Sequence, residues 1–171
     1  MGNVKEINMV DITRRGVLTG AWRSAAPVIR PPWSGSEARF IELCTRCNQC
    51  IKSCETSILQ PGPGGYPMVD FQRGECTFCY ACADACPEPI FLPQNTQPWN
   101  ITVSIGQNCL AYKYIECRRC EDSCEPQVIS FPPSLSGIYQ PKIEMQGCTG
   151  CGACVAGCPV SAITVEHEDA Q

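Results

Sequence analysis

The sequence predicts a small, loop-rich α+β fold assembled from repeated units behind an irregular N-terminal arm, and three observations predict it. Of the 171 residues, 16 are cysteine, 14 glycine and 15 proline, a composition in which cross-links or metals take over from an ordinary core. The cysteines recur in groups from residue 44 onward, and residues 1–40 contain none. The apolar runs between the groups are only a few residues long, far below the ~20 needed to span a bilayer, and several alternate as short strands do.

Charge excludes one large class of function. The chain carries a net charge of −4, yet residues 1–40 hold six Lys and Arg against three Asp and Glu, whereas residues 41–171 hold seven against fourteen. An acidic body argues against nucleic acid as the main partner, because phosphate binding needs clustered Lys and Arg on the folded part. The basic head can still meet an acidic protein surface.

Taken in order, the first element is an arm over residues 1–35. Its Thr13-Arg14-Arg15-Gly16-Val17-Leu18 is similar to a twin-arginine export motif. An export peptide needs 7–15 apolar residues after its basic part, and here Arg23 interrupts the run before Arg30-Pro-Pro-Trp33. The expectation is therefore retention in the cytoplasm rather than a signal peptide. Arg14, Arg15, Trp22 and Trp33 are candidate partner-binding residues, since Arg and Trp are enriched as interface anchors.

Four cysteine quartets follow. They are Cys44, Cys47, Cys50 and Cys54; Cys76, Cys79, Cys82 and Cys86; Cys109, Cys117, Cys120 and Cys124; and Cys148, Cys151, Cys154 and Cys158. The first, second and fourth share the spacing C-x2-C-x2-C-x3-C, the signature of bacterial [4Fe–4S] ferredoxins. The third places its first cysteine eight residues upstream of the second. Three thiolates two residues apart lie on a curled loop that can grip three iron corners of one cubane, with backbone N–H groups softening the sulfur charge. The fourth cysteine reaches a neighbouring cubane, and Pro87 and Pro159 after it suit the first turn of a helix leading away.

That crossing rule predicts the ligand sets. Cys44, Cys47 and Cys50 share a cluster with Cys86, and Cys76, Cys79 and Cys82 share one with Cys54. Cys109, Cys117 and Cys120 go with Cys158, and Cys148, Cys151 and Cys154 with Cys124. The chain then reads as two tandem two-cluster ferredoxin modules, over residues 36–97 and 98–171, holding four [4Fe–4S] clusters, or three if the third quartet is unloaded. Two other readings compete. Disulfides need an oxidising compartment, and cysteines three residues apart do not readily bond each other; one tetrahedral zinc site has no use for so many thiolates.

The scaffold between the quartets is predicted to be short strands at Ile101–Ile105 and Ile163–Val165, with Pro67–Phe71 and Lys142–Met145 as hairpin arms before a quartet. Ile58, Ile90, Ile129 and Ile163, four or five places after each fourth cysteine, should seal the clusters from water. Pro93–Trp99 reads as the linker between modules. Arg118 and Arg119, between two ligands of the third quartet, either tune that cluster, meet a partner or are simply solvated. His167 is the lone histidine, so a Ser/His/Asp set has no support and no catalytic residue is assigned.

Beyond the cysteine spacing, the sequence resembles the NapF family, the ferredoxin-type accessory proteins of periplasmic nitrate reductase systems. The resemblance runs from about Val10 to Glu166 and rests on Thr13-Arg-Arg-Gly-Val-Leu-Thr-Gly-Ala-Trp-Arg23, Ile29-Arg-Pro-Pro-Trp33, Gly64-Gly-Tyr-Pro67, Glu116-Cys-Arg-Arg-Cys120 and Ser136-Gly-Ile-Tyr-Gln-Pro141. It implies a cytoplasmic, non-catalytic polyferredoxin that meets the precursor of the nitrate reductase catalytic subunit before export, donating electrons or helping to assemble its cluster. The alternative is a general electron-transfer ferredoxin subunit passing electrons along its clusters to a redox enzyme. No nucleic acid and no membrane span enter either reading.

Overall fold

Glycine and proline punctuate this chain so densely that its regular elements are all short. The computed structural model describes residues 28–133, 137 and 139–167, and among them the longest helix, α1 over Glu37–Leu43, has seven residues. The remaining helices are α2 at Gln49–Ser53, α3 at Ala81–Asp84, α4 at Arg119–Asp122 and α5 at Ala153–Gly157. The strands are β1 at Leu59–Pro61, β2 at Pro67–Val69, β3 at Ile101–Ile105, β4 at Ile129–Ser130, β5 at Lys142–Ile143 and β6 at Ile163–His167.

The strands make three antiparallel ribbons. β1 and β2 pair with Leu59 opposite Val69, and β4 and β5 pair with Ile129 opposite Ile143. Each ribbon lies between two quartets, as the hairpin-arm reading expects. β3 opens the second half and β6 ends it, yet they pair with each other, from Ile101 opposite His167 to Ile105 opposite Ile163. Among the described residues the first half has no such outer ribbon. Its equivalent is the segment before α1, where the Val69 amide donates to the Ile29 carbonyl at 2.8 Å and the Leu92 amide to the Trp33 carbonyl at 2.7 Å.

This segment corrects the expected end of the arm at residue 35. Ile29, Arg30, Trp33 and Ser34 are all buried, so residues 29–34 are part of the first module. Trp33 is 3% exposed. Its indole stands edge-on to Tyr80 at 5.1 Å and to Phe78 at 6.2 Å, and its Nε1 donates to the Thr96 carbonyl at 2.9 Å. Trp33 therefore anchors the module's interior and not a partner. Arg14, Arg15 and Trp22 lie outside the described residues.

The helices also differ from expectation. Each short helix lies before the fourth cysteine of its quartet, not after it. The third cysteines Cys50, Cys82, Cys120 and Cys154 sit inside α2, α3, α4 and α5, and Cys54, Cys86, Cys124 and Cys158 follow within two residues of the helix end. Proline after the fourth cysteine is then a helix stop, since it is common one or two residues past a C-cap. The same residue type serves either end of a helix, and spacing alone does not say which.

One apolar core runs through both halves, joining Ile58, Leu59, Val69 and Phe71 to Trp99, Val103, Ile129 and Ile163. Ile58, Ile90, Ile129 and Ile163 are each no more than 5% exposed, as their spacing after the fourth cysteines predicts. Trp99, read from sequence as the end of a linker, is also buried. It packs against Phe71 at 5.7 Å and Phe78 at 5.9 Å, so the linker's end is a seam between the modules.

Candidate metal centres

Three of the four quartets share one backbone device. The residues on either side of the second cysteine adopt left-handed φ: Arg46 and Asn48 around Cys47, Phe78 and Tyr80 around Cys79, Gly150 and Gly152 around Cys151. A left-handed residue costs a non-glycine side chain about 1–2 kcal/mol, so four such residues in the first module mark a site that repays strain. Alternating left- and right-handed residues form a concave nest of N–H groups that suits anionic ligands. Backbone N–H groups do reach the sulfurs: those of Phe78 and Gly150 lie on Cys76 and Cys148 at equivalent places in their loops, and those of Ile51 and Glu121 on Cys50 and Cys120.

The fourth cysteines share a second device. Ser57, Gln127 and Ser161, each three residues after a fourth cysteine, are left-handed, and their amides turn back to the carbonyls of Cys54, Cys124 and Cys158 at 2.9–3.3 Å. In the second quartet this position is Pro89, whose ring fixes a negative φ; there the Ile90 amide closes on the Glu88 carbonyl at 2.8 Å.

The thiols assemble across the sequence. Cys54, Cys76, Cys79 and Cys82 line one small apolar cavity together with Ile58, Leu59 and Phe78. Cys124, Cys148, Cys151 and Cys154 line another with Val103 and Ile129. Cys50 lies within reach of the charges of Cys86, Cys44 and Cys47, and Cys120 within reach of Cys109 and Cys117. Cys158 accepts from the Ala162 amide at 3.2 Å. All sixteen cysteines are free thiols, and among the described residues no three His, Cys, Asp or Glu converge on a single ion. A cubane gives each ligand its own iron, so its four thiolates need not converge on one point.

The long interval in the third quartet is closed by folding the insert on itself. A 3-10 turn spans Ala111–Lys113, Tyr114 is left-handed, and the Ile115 amide donates to the Leu110 carbonyl at 3.0 Å. Cys109 is thereby returned to Cys117 and Cys120. Arg118, ambiguous from sequence, stacks its guanidinium over Tyr139 at 4.9 Å and Phe131 at 5.5 Å and meets Glu121 at 3.4 Å.

Burial governs the electrostatics. Taken from water, the Cys82 and Cys154 thiols are pushed up to about 12, and Cys50, Cys76 and Cys120 to about 11, with neighbouring cysteines adding to the shift. Such thiols ionise only with a cation beside them, and coordination to iron supplies it. The donor set, the dry cavities and the N–H nests all fit an anionic iron–sulfur cube.

The seam leaves a single trace in the sequence. In the first two quartets Arg46, Asn48, Phe78 and Tyr80 show that left-handed φ does not by itself demand glycine. Glycine at 150 and 152 is demanded by space: a Cβ would meet Trp99 Nε1 at 2.6 Å at the first and a Phe71 ring carbon at 1.9 Å at the second. Gly-Cys-Gly around the second cysteine was the one visible signal.

Fold and site together define a ferredoxin-type protein, and the 4Fe-4S dicluster domain family matches residues 43–90 and 115–162. The second match begins after Cys109, the cysteine that the 3-10 turn brings back. The chain binds [4Fe–4S] clusters and belongs to the NapF family of ferredoxin-type proteins. It is 60% identical to the ferredoxin-type protein NapF of Escherichia coli K12 over 92% of this chain and 96% of that one. It is 49% identical to the NapF of Haemophilus influenzae over 80% and 78%. The methylamine utilization ferredoxin-type protein MauM of Methylophilus methylotrophus is 30% identical over 88% of this chain and 75% of its own.

Proposed function

We propose that all sixteen cysteines ligate four clusters in the crossed sets described above, and that the loaded protein serves the maturation of a periplasmic nitrate reductase catalytic subunit in the cytoplasm, before export. Family membership carries this reading, and the shared cavities of Cys54 with the second quartet and of Cys124 with the fourth support the crossing. Cys158, placed after α5 as Cys86 is after α3, completes the third set by the symmetry of the repeat. The clusters supply reversible one-electron chemistry. The chain's part is to hold the thiolates, exclude water with Ile58, Ile90, Ile129 and Ile163, and present an acidic body of roughly −12 once four clusters of about −2 each are bound.

Electron donation suits this geometry better than cluster delivery. In three quartets the third cysteine, Cys50, Cys82 or Cys154, is buried and fixed within a helix, so releasing a cube means undoing α2, α3 or α5. The protein acts as a carrier and not as an enzyme. No helix among the described residues is long and apolar enough to cross a membrane. A second reading, an electron carrier for some other redox enzyme, draws support from the MauM relatives, whose similar sequences carry the name of a different process.

Co-purification of the tagged chain from anaerobic cells tests the proposal. Capture of the unprocessed, cofactor-poor nitrate reductase precursor is the expected result. Capture of only mature, loaded enzyme, or of a different redox partner, would favour the general carrier. The same preparation should contain about 16 iron and 16 sulfide per chain, at four of each per cubane; about 12 would leave one cubane site empty.

A further inference from the structure

We propose that electrons cross between the two modules at the seam where the Cys76 amide donates to the Cys151 carbonyl, so that the clusters follow one another as first, second, fourth, third rather than in sequence order. The inference rests on the ligand sets proposed above and goes beyond them. It turns the four clusters into a single route with two defined ends, the first and the third quartets.

The seam joins a ligand of the second quartet directly to a ligand of the fourth. The Cys76 N to Cys151 O distance is 2.8 Å, and the two thiols lie within reach of each other's charge. The route is therefore Sγ, Cβ, Cα and N of Cys76, one hydrogen bond, then O, C, Cα, Cβ and Sγ of Cys151. A bonded path of this kind favours electron tunnelling over a gap filled by water. Around it Phe78, inside the second quartet's loop, packs on Trp99 at 5.9 Å, and Trp99 Nε1 donates to the carbonyl of Thr149, inside the fourth's, at 3.3 Å. Phe71 fills the space above Gly152 so completely that no Cβ fits there. Phe71 packs tightly onto the seam, and a cleft of about 570 Å³ lined by Phe78, Trp99, Cys148 and Gly150 opens beside it.

Within each module the second link already exists. Cys82 lies within reach of the charge of Cys50, and Cys154 within that of Cys120, joining first to second and fourth to third. At the seam, one electron leaves a reduced second-quartet cluster, [4Fe–4S]+, which returns to [4Fe–4S]2+, and reduces the fourth-quartet cluster from 2+ to 1+. No bond forms or breaks and no proton moves. The electron comes from a low-potential one-electron donor, dithionite in the test below.

The test is low-temperature EPR on the full, cluster-loaded chain after reduction with dithionite, because spin–spin broadening between reduced cubanes falls steeply with separation. Replacing Cys148→Ala with Cys154→Ala strips the fourth set of two ligands and should at least halve the broadening of the second-quartet signal. Replacing Cys117→Ala with Cys120→Ala strips the third set and should leave that broadening unchanged. The reverse pattern would place the third cluster beside the second and overturn the proposal. Where a stripped chain fails to fold, Cys148→Ser and Cys117→Ser decide the matter, since each leaves an oxygen ligand in place and alters the signal of the fourth or the third cluster alone. Only Cys148→Ser should change the broadening of the second-quartet signal, and a change with Cys117→Ser alone would overturn the proposal. A wild-type iron count well short of 16 would instead bring down the ligand sets themselves, a failure separate from a wrong order at full loading.

Discussion

Arg30 is a charged side chain enclosed by the first module, 7% exposed, with each of its three guanidinium nitrogens engaged. Its guanidinium meets both oxygens of Glu37 at 2.7 and 2.8 Å and the Pro67 carbonyl at 2.9 Å, and it lies over the rings of Phe40 and Tyr66. A buried guanidinium is tolerated only when paired and hydrogen-bonded in this way. The hydrogen bond from Arg30 holds the Glu37 carboxyl below its ordinary value of 4.5, against a smaller opposing effect of burial. A lowered carboxylate contributes stability that is fully present above its unfolded value and is lost as pH falls through the folded one. In Arg30→Met the Glu37 titration, followed by NMR of its carboxyl carbon, should move up from its lowered position. The stability that the wild type loses only below about pH 4.5 should already be missing at neutral pH. An unmoved Glu37 titration would count against the pair.

At the scale of elements, the ribbons and short helices act as lids over sulfur. Ile58, just before β1, is 2% exposed and lines the cavity of the second set. Ile58→Ala should cost about 2–5 kcal/mol and admit water, so the visible absorbance of the loaded protein should bleach several-fold faster in air; an unchanged bleaching rate would remove Ile58 from the seal. Such lids were legible in the sequence because an isoleucine recurs four or five places after each fourth cysteine, and β3 and β6 because Ile101, Val103 and Ile105 alternate with polar residues. A short helix beside the fourth cysteine was legible but not on which side of it, and α1 was not foreseen. Pro87 and Pro159 fit a helix start as well as a helix stop, and only the burial of Cys82 and Cys154 settles which. Trp33 misled for a related reason: an Arg-Pro-Pro-Trp run reads the same on an arm and in a core, until Tyr80 and Phe78 are found beside it.

For the whole molecule the ligands and the fold depend on each other. Left-handed Arg46, Asn48, Phe78 and Tyr80 strain the loops, and the deep thiols are costly to ionise without iron. Elements of two to seven residues bury too little to offset chain entropy unaided. Stripping the clusters with a chelator should therefore abolish most of the far-UV circular dichroism, and reconstitution with iron and sulfide should restore it. A stripped chain that kept its native spectrum would show a scaffold independent of its metal. The gathering of Cys54 with the second quartet and of Cys124 with the fourth was legible at this scale from spacing, whereas the seam was not, since Phe71, Trp99, Gly150 and Gly152 are far apart in sequence and only their packing gives them a role.

The clasp on Trp33 also sets a timetable for biogenesis. Its amide donates to the Pro98 carbonyl and its indole to the Thr96 carbonyl, so residues 29–34 cannot seat until the ribosome has delivered the chain through residue 98. By then Cys44 to Cys86 have all emerged, and the first two cubes can be installed in a finished half. The second half waits longer: β3 is made early but its partner β6 ends at His167, so its outer ribbon closes with the last turns of synthesis. On a translating ribosome, residues 29–34 should become protected from protease once residue 98 has cleared the exit tunnel, and not while Leu92 is the last residue outside.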